Sequence, residues 1–163
     1  MPPPDVFIAI RNEHGHYCPM STCGGRMGWA ARKRLEAAGI SGRLMALVYA
    51  RSCALDGIVQ TTGCDEATGT LRLLPGGQQR LDLRTESGAG ISVQLTAAAL
   101  RRSGAYRQAR AMLESQRAAL SATELRQREA ALAVQLDILL DELRTCPDEE
   151  LMMMTELTAA VKG

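Results

Sequence analysis

Leu44-Met45-Ala46-Leu47-Val48-Tyr49-Ala50 runs uncharged between Gly42 and Arg51. An apolar run with no polar face reads as a strand covered on both sides, although periodicity alone also fits a buried helix. Three further runs follow at 69–74, 80–84 and 91–95, separated by Pro75-Gly76-Gly77 and Ser87-Gly88-Ala89-Gly90. Glycine turns between short apolar runs predict an antiparallel meander.

Helical patterns surround these strands. Over 21–38, Met27, Ala30, Ala31 and Leu35 recur at threes and fours, cations sit in the later turns, and Gly39 is a natural terminator. Residues 54–60 predict a short helix closed by Gly63. The apolar run 6–10 fits either a strand or an irregular approach to the histidines at 14 and 16. In the last third, Tyr106, Ala109, Leu113 and Leu120 mark one helical face. Ser121-Ala122-Thr123-Glu124 fits a capping box that opens a longer helix, with Leu125, Leu132, Leu136, Leu139, Leu140 and Leu143 on one side, ending before Pro147. The fold class is therefore α+β: an antiparallel or mixed sheet packed with helices, and a C-terminal helical hairpin. At 163 residues, 46% of them hydrophobic, one domain suffices. Its expected parts are a core over 1–100, the hairpin over 101–146 and a C-terminal segment over 147–163.

Composition removes several function classes. Nineteen basic residues against eighteen acidic give a net charge of +1, and aromatics are only 3%, so neither a basic stripe nor stacking platforms point to nucleic acid. No apolar run approaches the roughly 20 residues of a membrane span, and the N-terminus lacks the basic and apolar regions of a signal peptide. Five loosely spaced cysteines fit a reducing compartment better than a disulfide scaffold. The expectation is a cytoplasmic protein with neither a nucleic-acid nor a membrane partner.

The chemistry concentrates in two segments. His14-Gly15-His16-Tyr17-Cys18-Pro19 holds the only two histidines, and an extended backbone would send positions 14, 16 and 18 to one side. Imidazole and thiolate are ligands for zinc and its neighbours. The competing reading is a loop in which His16 bonds a carbonyl and Cys18 packs under Pro19. The second segment runs from Cys53 to Cys64. In helical form it lays Cys53, Asp56 and Gln60 along one stripe leading towards Cys64, and the competing reading is a solvated face with two inert cysteines. Cys23 reads as a small residue allowing close packing, and Cys146, at a helix end before proline, as structural. Gly24, Gly25 and Gly28 fit neither a Walker loop nor a dinucleotide fingerprint. Met152 to Met154 reads as core or interface filler.

Taken in order, the His14–Pro19 segment, Gly25-Arg26-Met27-Gly28, Ser52-Cys53-Ala54-Leu55-Asp56-Gly57-Ile58, Thr62-Gly63-Cys64 and Pro147-Asp148-Glu149-Glu150-Leu151 resemble the formylmethanofuran dehydrogenase E-subunit family. The resemblance implies an α+β core, often dimeric, with a cleft between the His/Cys segment and the Cys-Ala-x-Asp helix where a metal such as zinc binds. It makes His16, Cys18, Cys53 and Cys64 the metal-ligand candidates and Asp56 either a partner that orients a ligand or an acid/base group; His14 matches the family pattern as well, and in an enzyme Asp56 or His14 would move protons. This chain departs from the family pattern in three places. Asp65-Glu66-Ala67-Thr68-Gly69-Thr70 replaces a lysine-bearing Thr-Phe-Gly-Lys-Gly-Asn, Ala50-Arg51 replaces Asn-Asp, and the zinc-finger appendage of some members is missing.

The function expected from this reading is a divalent-metal protein, an accessory subunit or metal-handling factor of a molybdenum or tungsten enzyme system, acting as a homodimer. The alternatives are a small metal-dependent enzyme whose substrate the residues do not name, a thiol redox protein, and a partner-binding module built on the leucine faces.

Overall fold

The computed structural model describes residues 1–158; 159–163, the end of the expected C-terminal segment, lie outside that range. Helix α1 (Pro4–His14) has proline in its first turn and Gly15 at its C-terminal cap at φ 87°, a left-handed conformation that glycine adopts without penalty. The run 6–10 is therefore helical, burying Phe7 and Ile10. Helix α2 (Pro19–Ala37) starts at Cys18 as N-cap and buries most of its length, including Cys23, Met27, Ala31 and Leu35. Helix α3 (Ala54–Thr62) starts after Cys53 and is closed by Gly63 at φ 70°.

The five strands are β1 (Leu44–Val48), β2 (Leu71–Leu73), β3 (Arg80–Thr85), β4 (Gly90–Leu95) and β5 (Met152–Leu157), in spatial order β2-β1-β3-β4-β5. β3 and β4 form the hairpin that the glycine turn at 87–90 predicts. The meander fails at β2, which lies on the far side of β1 and runs parallel to it. The cause is α3: a strand, a helix and a second strand in one sheet form a crossover, and a crossover returns the chain parallel. The methionine run, expected as filler, supplies β5, antiparallel to β4 at the sheet edge.

Helix α2 lies against β3 and β4. The face beneath it is tightly packed, with Ala46, Leu81, Leu83 and Val93 all fully buried. β1 is not covered equally on both sides: Ala46 and Val48 are buried while Leu44, Met45 and Leu47 are only half-buried. The other face is polar at its centre. Asp82, 1% exposed, accepts hydrogen bonds from Arg80 Nε and a terminal Arg80 nitrogen, both at 2.8 Å, and from the Tyr49 hydroxyl at 2.9 Å. Burial pushes the Asp82 carboxyl up, but donors from Arg80, Ser92 and Tyr49 outweigh that and hold it below the usual carboxylate range.

Helices α4 (Ala97–Gln116) and α5 (Ala122–Thr145) form the helical hairpin, joined through a 3-10 turn (Arg117–Ala119). The capping box at Ser121 and Glu124 is present in both directions. Only the base of the hairpin enters the core, through Ala99, Leu139, Leu140 and Leu143, while Met112, Val134 and Ile138 are exposed further out. A buried arginine fastens that base. Arg26 of α2 is 1% exposed and donates to the carbonyls of Leu143, Arg144 and Cys146 at 2.8–3.0 Å. It also donates to Asp148 Oδ1, on the short helix α6 (Asp148–Leu151). The guanidinium thus satisfies carbonyls that the end of α5 leaves without intrahelical partners.

Candidate metal centre

Three helix ends meet because glycines let their backbones approach. A methyl group on Gly24 would strike the Ala54 backbone, one on Gly57 would strike the backbone of Ser21 and Gly25, and one on Gly25 would strike the Ile10 side chain. The glycines that fit no phosphate motif are thus packing positions. They bring the C-terminus of α1, carrying His14, against the N-termini of α2 and α3, which carry Cys18 and Cys53.

The ligand atoms of His14, His16 and Cys18 all lie within 4.8 Å of one another, and the two imidazole centroids are 4.5 Å apart. The convergence does not come from an extended strand. His14 is the last residue of α1, and the left-handed turn at Gly15 swings His16 and Cys18 back beside it. Asp56, in the first turn of α3, sits 2.5 Å from His14 Nδ1 through its Oδ2. The His14 side chain is 11% exposed, and its Nε2 is buried with no hydrogen-bond partner among the described residues. An imidazole held by a carboxylate at one nitrogen, with the other nitrogen buried and unpartnered, matches the outer-sphere pattern of a histidine metal ligand.

Cys53, exposed at the start of α3, is near enough to Cys18 for the two thiols to influence each other, but it is not one of the three residues whose ligand atoms converge. Burial pushes the Cys53 thiol up, and the neighbouring Cys18 and Asp56 charges add to the effect. Partial burial lowers the His16 imidazole below its ordinary value, reinforced by the charges of His14 and Arg110, so its neutral, ligating form is favoured.

Cys64 is the sequence-derived ligand that the structure places elsewhere. It lies beyond the opposite end of α3, 2% exposed within the hydrophobic core, where burial pushes its thiol up. The physical reason is length: nine helical residues rising about 1.5 Å each separate the two cysteines by about 14 Å. Donors that share one zinc ion sit about 4 Å from each other once it is bound, far short of that span. Cys23 is fully buried with its thiol pushed up to about 12 by burial, as a packing residue would be. Cys146 caps α5 and gives its carbonyl to Arg26.

The site opens into a cleft of about 560 Å³. His16, Cys18 and Cys53 line it from the side of the His/Cys cluster, Arg51, Ser52 and Gln79 from the sheet side, and Leu100, Ser103, Tyr106, Arg107 and Arg110 from α4. Sequence reasoning misses the contribution of α4 entirely. Apolar recurrence alone does not reveal it, whereas 100, 103, 107 and 110 recur at threes and fours with mixed chemistry.

No helix among the described residues is long and apolar enough to cross a membrane. No curated protein matches the sequence. A crystal structure of a tungsten formylmethanofuran dehydrogenase E-subunit (FmdE)-like protein from Syntrophus aciditrophicus is similar in fold, with a TM-score of 0.60 at 21% identity. The match covers 93% of this chain and 70% of that one. The profile of the family described as FmdE, Molybdenum formylmethanofuran dehydrogenase operon, matches residues 13–153, which span every residue of the His/Cys cluster and its Asp56 partner. The chain belongs to the FmdE family.

Proposed function

We propose that this chain holds one divalent transition ion, zinc by its donor set, through His14 Nε2, His16 and Cys18, with Cys53 as the fourth donor. Asp56 then acts as the positioning partner of His14 rather than as a free acid or base, and His14 is a ligand rather than a proton carrier. The observation that carries this reading is the convergence of the His14, His16 and Cys18 ligand atoms within 4.8 Å, at a histidine whose Nε2 is buried without a partner. Burying such a nitrogen without a partner costs free energy that an ion would offset.

The role that fits the family is a metal-holding accessory subunit or handling factor of a molybdenum or tungsten enzyme system. It is supported by the family match and by the name of the structurally similar protein. The exposed Met112, Val134 and Ile138 support pairing with a second copy through the hairpin. A second reading, a small metal-dependent enzyme, is favoured by one observation: the ligand set opens into a cleft instead of being closed off. A zinc ion there would polarise a bound oxygen or carbonyl.

Elemental analysis of protein purified without added metal should find about one equivalent. His14→Ala and Cys18→Ser should each lose it, and Cys64→Ser should retain it. Metal-free protein, or metal retained in Cys18→Ser, would overturn the site. Should the metal-free protein instead form a reversible Cys18–Cys53 disulfide under mild oxidant, the thiol redox alternative would stand.

A further inference from the structure

The cleft beside the cluster is charged in a way that the chain as a whole is not. The protein carries eighteen acidic residues against nineteen basic ones, yet the cleft walls include three arginines and a histidine and no acidic residue. Arg51 is neutralised by Glu66 at 2.9 Å. Arg107 and Arg110 make neither ion pair nor hydrogen bond with any described residue, while several other arginines on the chain's helices are paired: Arg32 with Glu36, Arg102 with Glu150, Arg117 with Glu114 and Glu129.

Arg107 and Arg110 stand three residues apart on α4, so their side chains are neighbours on one helix face. Like charges at that spacing work against the helix unless something negative lies between them. Guanidinium pairs of this kind suit a carboxylate or phosphate, whose oxygens accept several parallel N–H donors. Polar groups that would complete such a seat are present. Ser52 Oγ donates to Gln79 Oε1 at 2.9 Å, which leaves the Gln79 amide nitrogen free to donate. Ser103 is 6% exposed on the same wall, and its Oγ is buried with no hydrogen-bond partner among the described residues. Leu100, Met20 and Tyr106 supply apolar surface for a short carbon skeleton. The volume, about 560 Å³, suits a small molecule.

We propose that this cleft is the seat of a small organic oxyanion, its carboxylate or phosphate group held by Arg107 and Arg110 and its other end directed at the His14–His16–Cys18 cluster. The direction of that far end rests on the metal reading. The arginine seat does not. The ligand is thus an anion with a short body and a donor atom, not a neutral molecule, a nucleic acid or a long-chain lipid.

Cobalt(II) substituted for zinc reports ligand entry by its visible absorption, and 3-mercaptopropionate and 2-mercaptoethanol offer the same thiol with and without a carboxylate. Wild-type protein should respond to the acid at least tenfold more sensitively than to the alcohol. The Arg107→Gln/Arg110→Gln double variant should lose that preference while keeping its cobalt content. Arg101→Gln, an exposed residue of the same helix outside the cleft, should behave as wild type. Equal responses to the two thiols in wild type, or an unchanged preference in the double variant, would overturn the seat. If the protein takes up no cobalt, the metal reading fails by itself, and calorimetric titration with inorganic phosphate decides the seat. Binding weakened at least tenfold by the double variant supports it, and no binding, or equal binding by both proteins, overturns it.

Discussion

Replacing Arg26 by methionine tests whether one buried cation holds the hairpin to the core. Methionine fills much of the same volume, so the cost falls on polar groups rather than on a cavity. The Leu143 carbonyl is buried, and losing its donor at 2.9 Å costs about 1–3 kcal/mol. The Arg144 and Cys146 carbonyls and Asp148 Oδ1 are only part-buried, so water partly replaces the guanidinium there and each costs about 1 kcal/mol or less. Removing the buried charge returns some desolvation energy, which sets the total at roughly 3–5 kcal/mol, in the range for breaking a buried ionic contact on one side. For a chain of this size that corresponds to a fall in Tm of roughly 10 °C. Urea unfolding followed by far-UV circular dichroism measures the free energy, and a thermal scan checks it. Asp148→Asn separates the contributions: its side chain is 37% exposed, so the ion pair alone should be worth about 1 kcal/mol or less. Arg26→Met within about 1 kcal/mol of wild type, or Asp148→Asn costing as much as Arg26→Met, would refute the idea that the arginine acts mainly on the end of α5.

Asp56→Asn should keep the fold but weaken metal retention about 10–100-fold, measured by competition with a chromophoric chelator, because the amide holds the His14 ring less firmly. Gly57→Ala should separate α2 from α3, lowering stability by about 2 kcal/mol or more and depleting metal in the same sample, because the added methyl meets backbone that cannot move aside. The Asp82 carboxyl is held below its unfolded value, so its contribution is complete above about pH 4 and is lost as pH falls through the folded value. Urea midpoints should therefore drop more steeply in acid for wild type than for Asp82→Asn, and parallel curves would remove the carboxyl from the account.

What the sequence disclosed and what it withheld divide along a physical line. Elements with local punctuation were legible: the capping box at Ser121, Gly63 closing α3, Pro147 ending α5, the glycine turn between β3 and β4. Each is a short-range preference expressed within one turn of chain. The pairing of β2 depends on where the chain returns, and its run at 71–73 looks the same in either direction. The information lay instead in α3, since a helix between two strands of one sheet already implies a crossover. The same helix explains the misplaced ligand. A stripe at threes and fours says which side of a helix a residue faces and nothing about how far along it lies, so Cys53 and Cys64 shared a stripe while standing at opposite ends. An ion reads distance, not direction. Under the proposed metal reading that constraint favours His14, at the end of a different helix, over Cys64, and the glycine contacts at Gly24, Gly25 and Gly57 are what allow the helices to come that close.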